Sequence, residues 1–124
     1  MDLQNLEKLL LGKISVTEVV NDITPEVESF RIASMTKGSS MSVYGTNENF
    51  HFTVRPQDIK YLCSLYLSGE LNEWHLEYLS NLIELSDSVT YENDDLADVI
   101  FELSSPEINS PITPEVVSRI HESL

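Results

Sequence analysis

Between Pro56 and Leu67 the chain carries a helix's length of residues with almost no wet side. At about 100° per residue, Ile59, Tyr61, Leu62, Cys63, Leu65, Tyr66 and Leu67 take most of the circumference, leaving Gln57, Lys60 and Ser64 as the polar arc. A helix apolar nearly all round must be covered on several sides. It is expected to be the central helix, under a sheet, with Pro56 in its first turn and Gly69 after its end.

The flanking segments supply the cover. Leu3, Leu6, Leu9 and Leu10 recur at helical spacing until Gly12. Ser15-Val16-Thr17-Glu18 is a capping box, with Ser15 as N-cap and Glu18 three residues on. Val16, Val19, Val20 and Ile23 form the face of this second short helix, and Thr24-Pro25 is expected to close it. Residues 28–55 then change period. Phe30 and Ile32, then Met41, Val43 and Gly45, then Phe50, Phe52 and Val54 alternate with polar or small neighbours. Turns at 36–40 and 47–49 separate the three runs. This predicts a three-stranded antiparallel meander.

Helical spacing returns after residue 55. One helix is expected from Asn72, a good N-cap, to about Leu85, with Glu77, Ser80, Asn81 and Glu84 as its wet side. Another runs from about Asp94 to Leu103, with Leu96, Val99, Ile100 and Leu103 inward. Thr113-Pro114-Glu115 opens a last one, with Val116, Val117, Ile120 and Leu124 as its core face. Leu11-Gly12-Lys13-Ile14-Ser15 echoes Leu67-Ser68-Gly69-Glu70-Leu71-Asn72. Two helix–turn–helix links account for that likeness without a duplication. The expected class is α+β in a single domain over 1–124, helical over 1–27, a β-meander over 28–55 and helical over 56–124.

A chain of 124 residues, 41% of them hydrophobic, can bury a core without disulfides or a structural metal. Cys63 is the single cysteine and falls on an apolar face, so it reads as a core residue. No oxidising compartment is needed, which fits a cytoplasmic protein. The start, Met1-Asp2-Leu3-Gln4-Asn5, lacks the basic, apolar pattern of a signal peptide. No apolar run is long enough to span a bilayer, and the acidic amphipathic stretches disfavour an anionic membrane surface.

Charge is distributed unevenly. Residues 70–124 hold 13 acids against one base, Arg119, a net charge of −12, whereas residues 1–69 carry a net −2. The acids are threaded through periodic apolar positions, so they belong to a folded surface rather than a tail. Such a surface repels nucleic acid and membrane and attracts a basic protein. On the predicted helix from Asp94, the residues Asp95, Asp98 and Glu102 fall within about 60° of one another. With Asp94, Glu92, Glu73 and Glu77 they are the expected partner-binding residues. Trp74, Tyr78 and Tyr91 lie near acids as core or rim aromatics.

Catalytic patterns are sparse. Asp94-Asp95-Leu96-Ala97-Asp98 matches a magnesium-binding DDxxD pattern, but no second metal motif and no basic phosphate-binding residues accompany it. Acids at a helix start are also favoured by the dipole. Glu70-Leu71-Asn72-Glu73 with Glu92-Asn93-Asp94-Asp95 loosely resembles the metal pattern of all-α nucleotide pyrophosphohydrolases, though Gly69 breaks the first half. His51, His75 and His121 stand at no recognised metal spacing. Neither a nucleophile elbow nor a phosphate loop is present. No catalytic, metal-binding or cofactor-binding residue is expected.

Two runs, Leu9-Leu10-Leu11-Gly12-Lys13-Ile14-Ser15-Val16 and Asn93 through Asn109 (NDDLADVIFELSSPEIN), resemble bacterial toxin-immunity proteins of the contact-dependent growth inhibition and polymorphic nuclease type. That resemblance implies a non-enzymatic inhibitor of a cognate toxin domain, a basic RNase or DNase. It carries over no binding residue, so the partner-binding set above stands on charge alone. Two alternatives remain: an acidic adaptor for another basic protein, and a small magnesium-dependent hydrolase using Glu73, Glu92, Asp95 and Asp98.

Overall fold

Leucine spacing and two glycine stops organise the first part of the chain. The computed structural model describes residues 3–35, 51–86, 88–106 and 111–124. Helix α1 (Leu3–Leu10) buries Leu3, Leu6 and Leu9. Gly12, at φ +73°, ends it in a Schellman motif: the Gly12 amide bonds Leu9 O (3.0 Å) and the Lys13 amide bonds Lys8 O (2.8 Å). Ser15 Oγ then accepts the Glu18 amide at 3.2 Å, starting α2 (Val16–Met35).

Helix α2 overturns two expectations. It does not stop at Thr24-Pro25, and its last turns take the place of the first predicted strand. Pro25 cannot donate to Asn21 O, but both residues are exposed, so water can serve that carbonyl. The Thr24 hydroxyl donates to Val20 O, and Val27 is buried beyond the proline. Ile32, expected on the apolar face of a strand, is 62% exposed. The second predicted strand, 41–45, both predicted turns and position 50 of the third predicted strand lie outside the described residues.

The sheet also differs from the prediction. Strand β1 (Phe52–Val54) buries Phe52 and Val54 and exposes Thr53, as alternation requires. Its partner is β2 (Val89–Tyr91), and the two run parallel, with Phe52 opposite Val89 and Val54 opposite Tyr91. Among the described residues there is no antiparallel meander, only this two-stranded ladder beside six helices, so the expected α+β class gives way to a mostly helical fold. Parallel neighbours need a long crossover, here made by two helices. On the exposed face the Thr53 and Thr90 hydroxyls meet at 3.0 Å.

The crossover helices are α3 (Pro56–Leu67) and α4 (Glu73–Glu84). α3 starts at Pro56 and ends before Gly69 (φ +87°). The Gly69 and Glu70 amides bond Tyr66 O (3.1 Å) and Leu65 O (2.9 Å), a second Schellman motif, which explains the sequence echo. α3 is not the most enclosed helix: Gln57, Ser64 and Leu67 remain exposed. That place belongs to α4, which buries Leu76, Glu77, Tyr78, Leu79, Ser80, Leu82 and Ile83. It lies against α5 (Asp94–Ser104) and α2, while α6 (Pro114–Ser123) packs on α3. Thr113 Oγ1 caps α6 by accepting the Val116 amide at 3.3 Å. Buried apolar side chains from all six of these helices and β1 form one cluster. No helix among the described residues is long and apolar enough to cross a membrane.

Candidate functional site

The acidic face is set by how α5 is seated. β2 ends at Tyr91, and after Glu92 and Asn93 the chain enters α5. Leu96, Ile100 and Leu103 are buried against the core, which turns Asp94, Asp95 and Asp98 to solvent. Asp94 and Asp95 occupy the first turn, where the helix dipole favours negative charge. Glu92 is exposed just before them, its amide donating to Val54 O at 2.9 Å. Phe101 lies on the same side of α5 and is 41% exposed.

The other three predicted partner-binding residues stand apart from this strip. Glu102 is half-buried and paired with Arg119 of α6. Glu73 is exposed in the first turn of α4 but belongs to another neighbourhood. The Tyr66 phenol is raised by burial and then by the nearby charges of Glu73 and Glu115. Glu77 is only 7% exposed, so it contributes nothing to an exposed stripe. The expected wet side of α4 is in fact its seam with α5. Asn81 Nδ2 donates to Ser104 O (2.9 Å) and to Glu77 O (3.0 Å), and the Ser104 hydroxyl donates to Glu84.

Two features escaped the sequence. Phe101 falls three residues after Asp98, a spacing that places it on the acidic face. Asp58, inside the apolar arc of α3, is 2% exposed. It accepts from the Arg55 amide (2.9 Å) and guanidinium (3.0 Å), which supplies the reach-back half of a capping box at the start of α3. The hydrogen bond and charge of Asp58 raise the Arg55 guanidinium, with smaller help from Glu92 and Glu7. A carboxylate three residues after an N-cap was the available signal.

The remaining candidates have structural roles. Burial pushes the Cys63 thiol up to about 12, which suppresses the reactive thiolate. Tyr78 is buried, donates to Glu26 of α2, and is raised by burial and by that bond. Trp74 is half-buried, with the Arg31 guanidinium 6.0 Å from its ring centroid. Tyr91 is half-buried and raised by burial, then by Glu84. His75 Nδ1 accepts the Asn72 amide at 3.1 Å. A cleft of about 240 Å³ beside α2 is lined by Glu18, Asp22 and Glu26 over Ile14, Val19 and Ile23. No group of three or more His, Cys, Asp or Glu residues able to hold a metal ion occurs among the described residues, which include Glu73, Glu92, Asp95 and Asp98. No protein-family model, curated protein or solved structure matches this chain.

Proposed function

We propose that this protein is a cytoplasmic immunity protein that neutralises a basic nuclease toxin domain by occupying its nucleic-acid groove. The observation that carries this is the exposed strip of Glu92, Asp94, Asp95 and Asp98. Arg119, the one base in residues 70–124, is already paired with Glu102, and Arg55, whose guanidinium feels Glu92, is engaged by Asp58, so among the described residues the strip keeps a net negative charge. A nuclease must present cations to phosphate. Four carboxylates within seven residues offer those cations a rigid substitute. Long-range attraction would speed the encounter, and desolvated contacts, with Phe101 as an apolar anchor, would set the lifetime.

The test is co-purification with the C-terminal domain encoded immediately upstream, followed by a nuclease assay with and without this chain. A tight complex with cleavage lost is expected. Asp95→Lys with Asp98→Lys should then slow association about tenfold or more at low salt and flatten its salt dependence. Association at the wild-type rate would refute the role of the strip. A complex whose nuclease stays active would favour the adaptor alternative.

A further inference from the structure

We propose that Asn72 and His75 form a proton-sensitive clasp on the start of α4, closed while the imidazole is neutral and opened by protonation at Nδ1. The clasp is reciprocal. Asn72 Oδ1 accepts the His75 amide at 2.9 Å, and His75 Nδ1 accepts the Asn72 amide at 3.1 Å. In the usual capping box a Glu or Gln fills the second role, with an oxygen that is always an acceptor at neutral pH. An imidazole nitrogen accepts only while it carries no proton. The bond therefore requires the tautomer with its hydrogen on Nε2. A second proton would set an N–H against the Asn72 N–H and leave that amide without its partner.

The position gives the clasp leverage. α4 is the most enclosed helix, and Leu71 and Leu76, which flank the box, are 1% and 0% exposed. They occupy the two positions of a hydrophobic staple, which fixes the entry angle of the chain. Among the described residues, several charged groups on and around α4 engage other partners. Glu26 and Arg31 of α2 meet Tyr78 and Trp74. In the link from α3, Glu70 accepts from the Ser68 hydroxyl, and Glu73 acts on Tyr66 at the end of α3. Glu102 of α5 is held by Arg119. Burial holds the imidazole below the ordinary histidine range, in agreement with a neutral acceptor.

The sign follows from that direction. Below about pH 6.5 the unfolded chain takes up a proton that the folded chain resists. Stability from the clasp is therefore complete above about pH 6.5 and is lost as pH falls through the lower folded value. The test is urea unfolding of wild type and His75→Gln from pH 7.5 to pH 5, since Gln keeps the acceptor and cannot titrate. The wild-type midpoint should fall relative to His75→Gln as pH drops, whatever His51 and His121 add to both. Nitrogen shifts in wild type should place the neutral proton on Nε2, and the protection factor of the Asn72 amide should drop roughly fivefold as His75 titrates. Midpoints that run parallel, or a neutral imidazole with its proton on Nδ1, would overturn the proposal. If His75→Gln does not fold, the wild-type nitrogen shifts and amide protection decide alone.

Discussion

Asn81→Ala and Ser80→Ala remove neighbouring polar side chains from α4, yet their costs should differ several-fold. Asn81 Nδ2 donates to Ser104 O at 2.9 Å. Ser104 is the last residue of α5, so its carbonyl has no donor within the helix, and among the described residues it is served by that amide. Truncation loses one interhelix hydrogen bond, worth about 1 kcal/mol, and strands a carbonyl whose desolvation costs about 1–3 kcal/mol. Asn81 is half-buried, and water entry pulls the second figure toward its low end, for a total near ~2 kcal/mol. The bond to Glu77 O adds little, because that carbonyl keeps the main-chain donor of its own helix. Ser80 Oγ donates at 2.8 Å to Leu76 O, which likewise keeps its helical donor. Alanine is also the better helix former, so Ser80→Ala should stay within about 0.5 kcal/mol of wild type. Urea unfolding followed by circular dichroism gives both values at a common slope. At roughly 4 °C per kcal/mol for a chain of this size, Asn81→Ala should lower Tm by about 8 °C. Equal costs for the two variants would refute the assignment of the α4–α5 seam to Asn81.

The thiol of Cys63, fully buried and pushed up to about 12, should react with a thiol reagent at pH 8 at least about a hundredfold more slowly than in urea-unfolded chain. Prompt labelling of the folded protein would show that this part of the core opens freely. Pro25→Ala restores an amide donor to the interior of α2 and should raise stability by roughly 1–3 kcal/mol, read as a higher Tm. A lower Tm would mean that the proline is needed in the native path of α2.

Local signals proved legible and long-range ones did not. Ser15, Asn72 and Thr113 each accept from an amide three residues on, because a cap is decided by four adjacent residues. Gly12 and Gly69 end helices for the same reason. Over 28–35 the chain is helical rather than extended, because four alternating residues fit either period. The spacing of Val16, Val20, Ile23 and Val27 already extended the helical one past Pro25. β2 has three residues and a partner 37 positions away, and neither fact has a local signature. At the site, the outward turn of Asp94, Asp95 and Asp98 followed from the inward leucines of α5. The burial of Glu77 did not, since a helical projection shows which residues share an arc but not that another helix will cover it. The capture of Glu102 by Arg119 and of Asp58 by Arg55 joins charges that composition alone counts as separate.

The small ladder between β1 and β2 also acts as a gauge. Only Glu92 and Asn93 separate β2 from α5, too short a tether to absorb a misalignment. Sliding β2 by one residue along β1 would carry the start of α5 about 3.3 Å and swap the faces of the strand. Thr53 against Thr90, and the Glu92 amide on Val54 O, hold the setting. The aim of the negative charge is thus fixed by three backbone pairs, and substitutions at Thr53 or Thr90, which carry no charge themselves, should shift where that charge points.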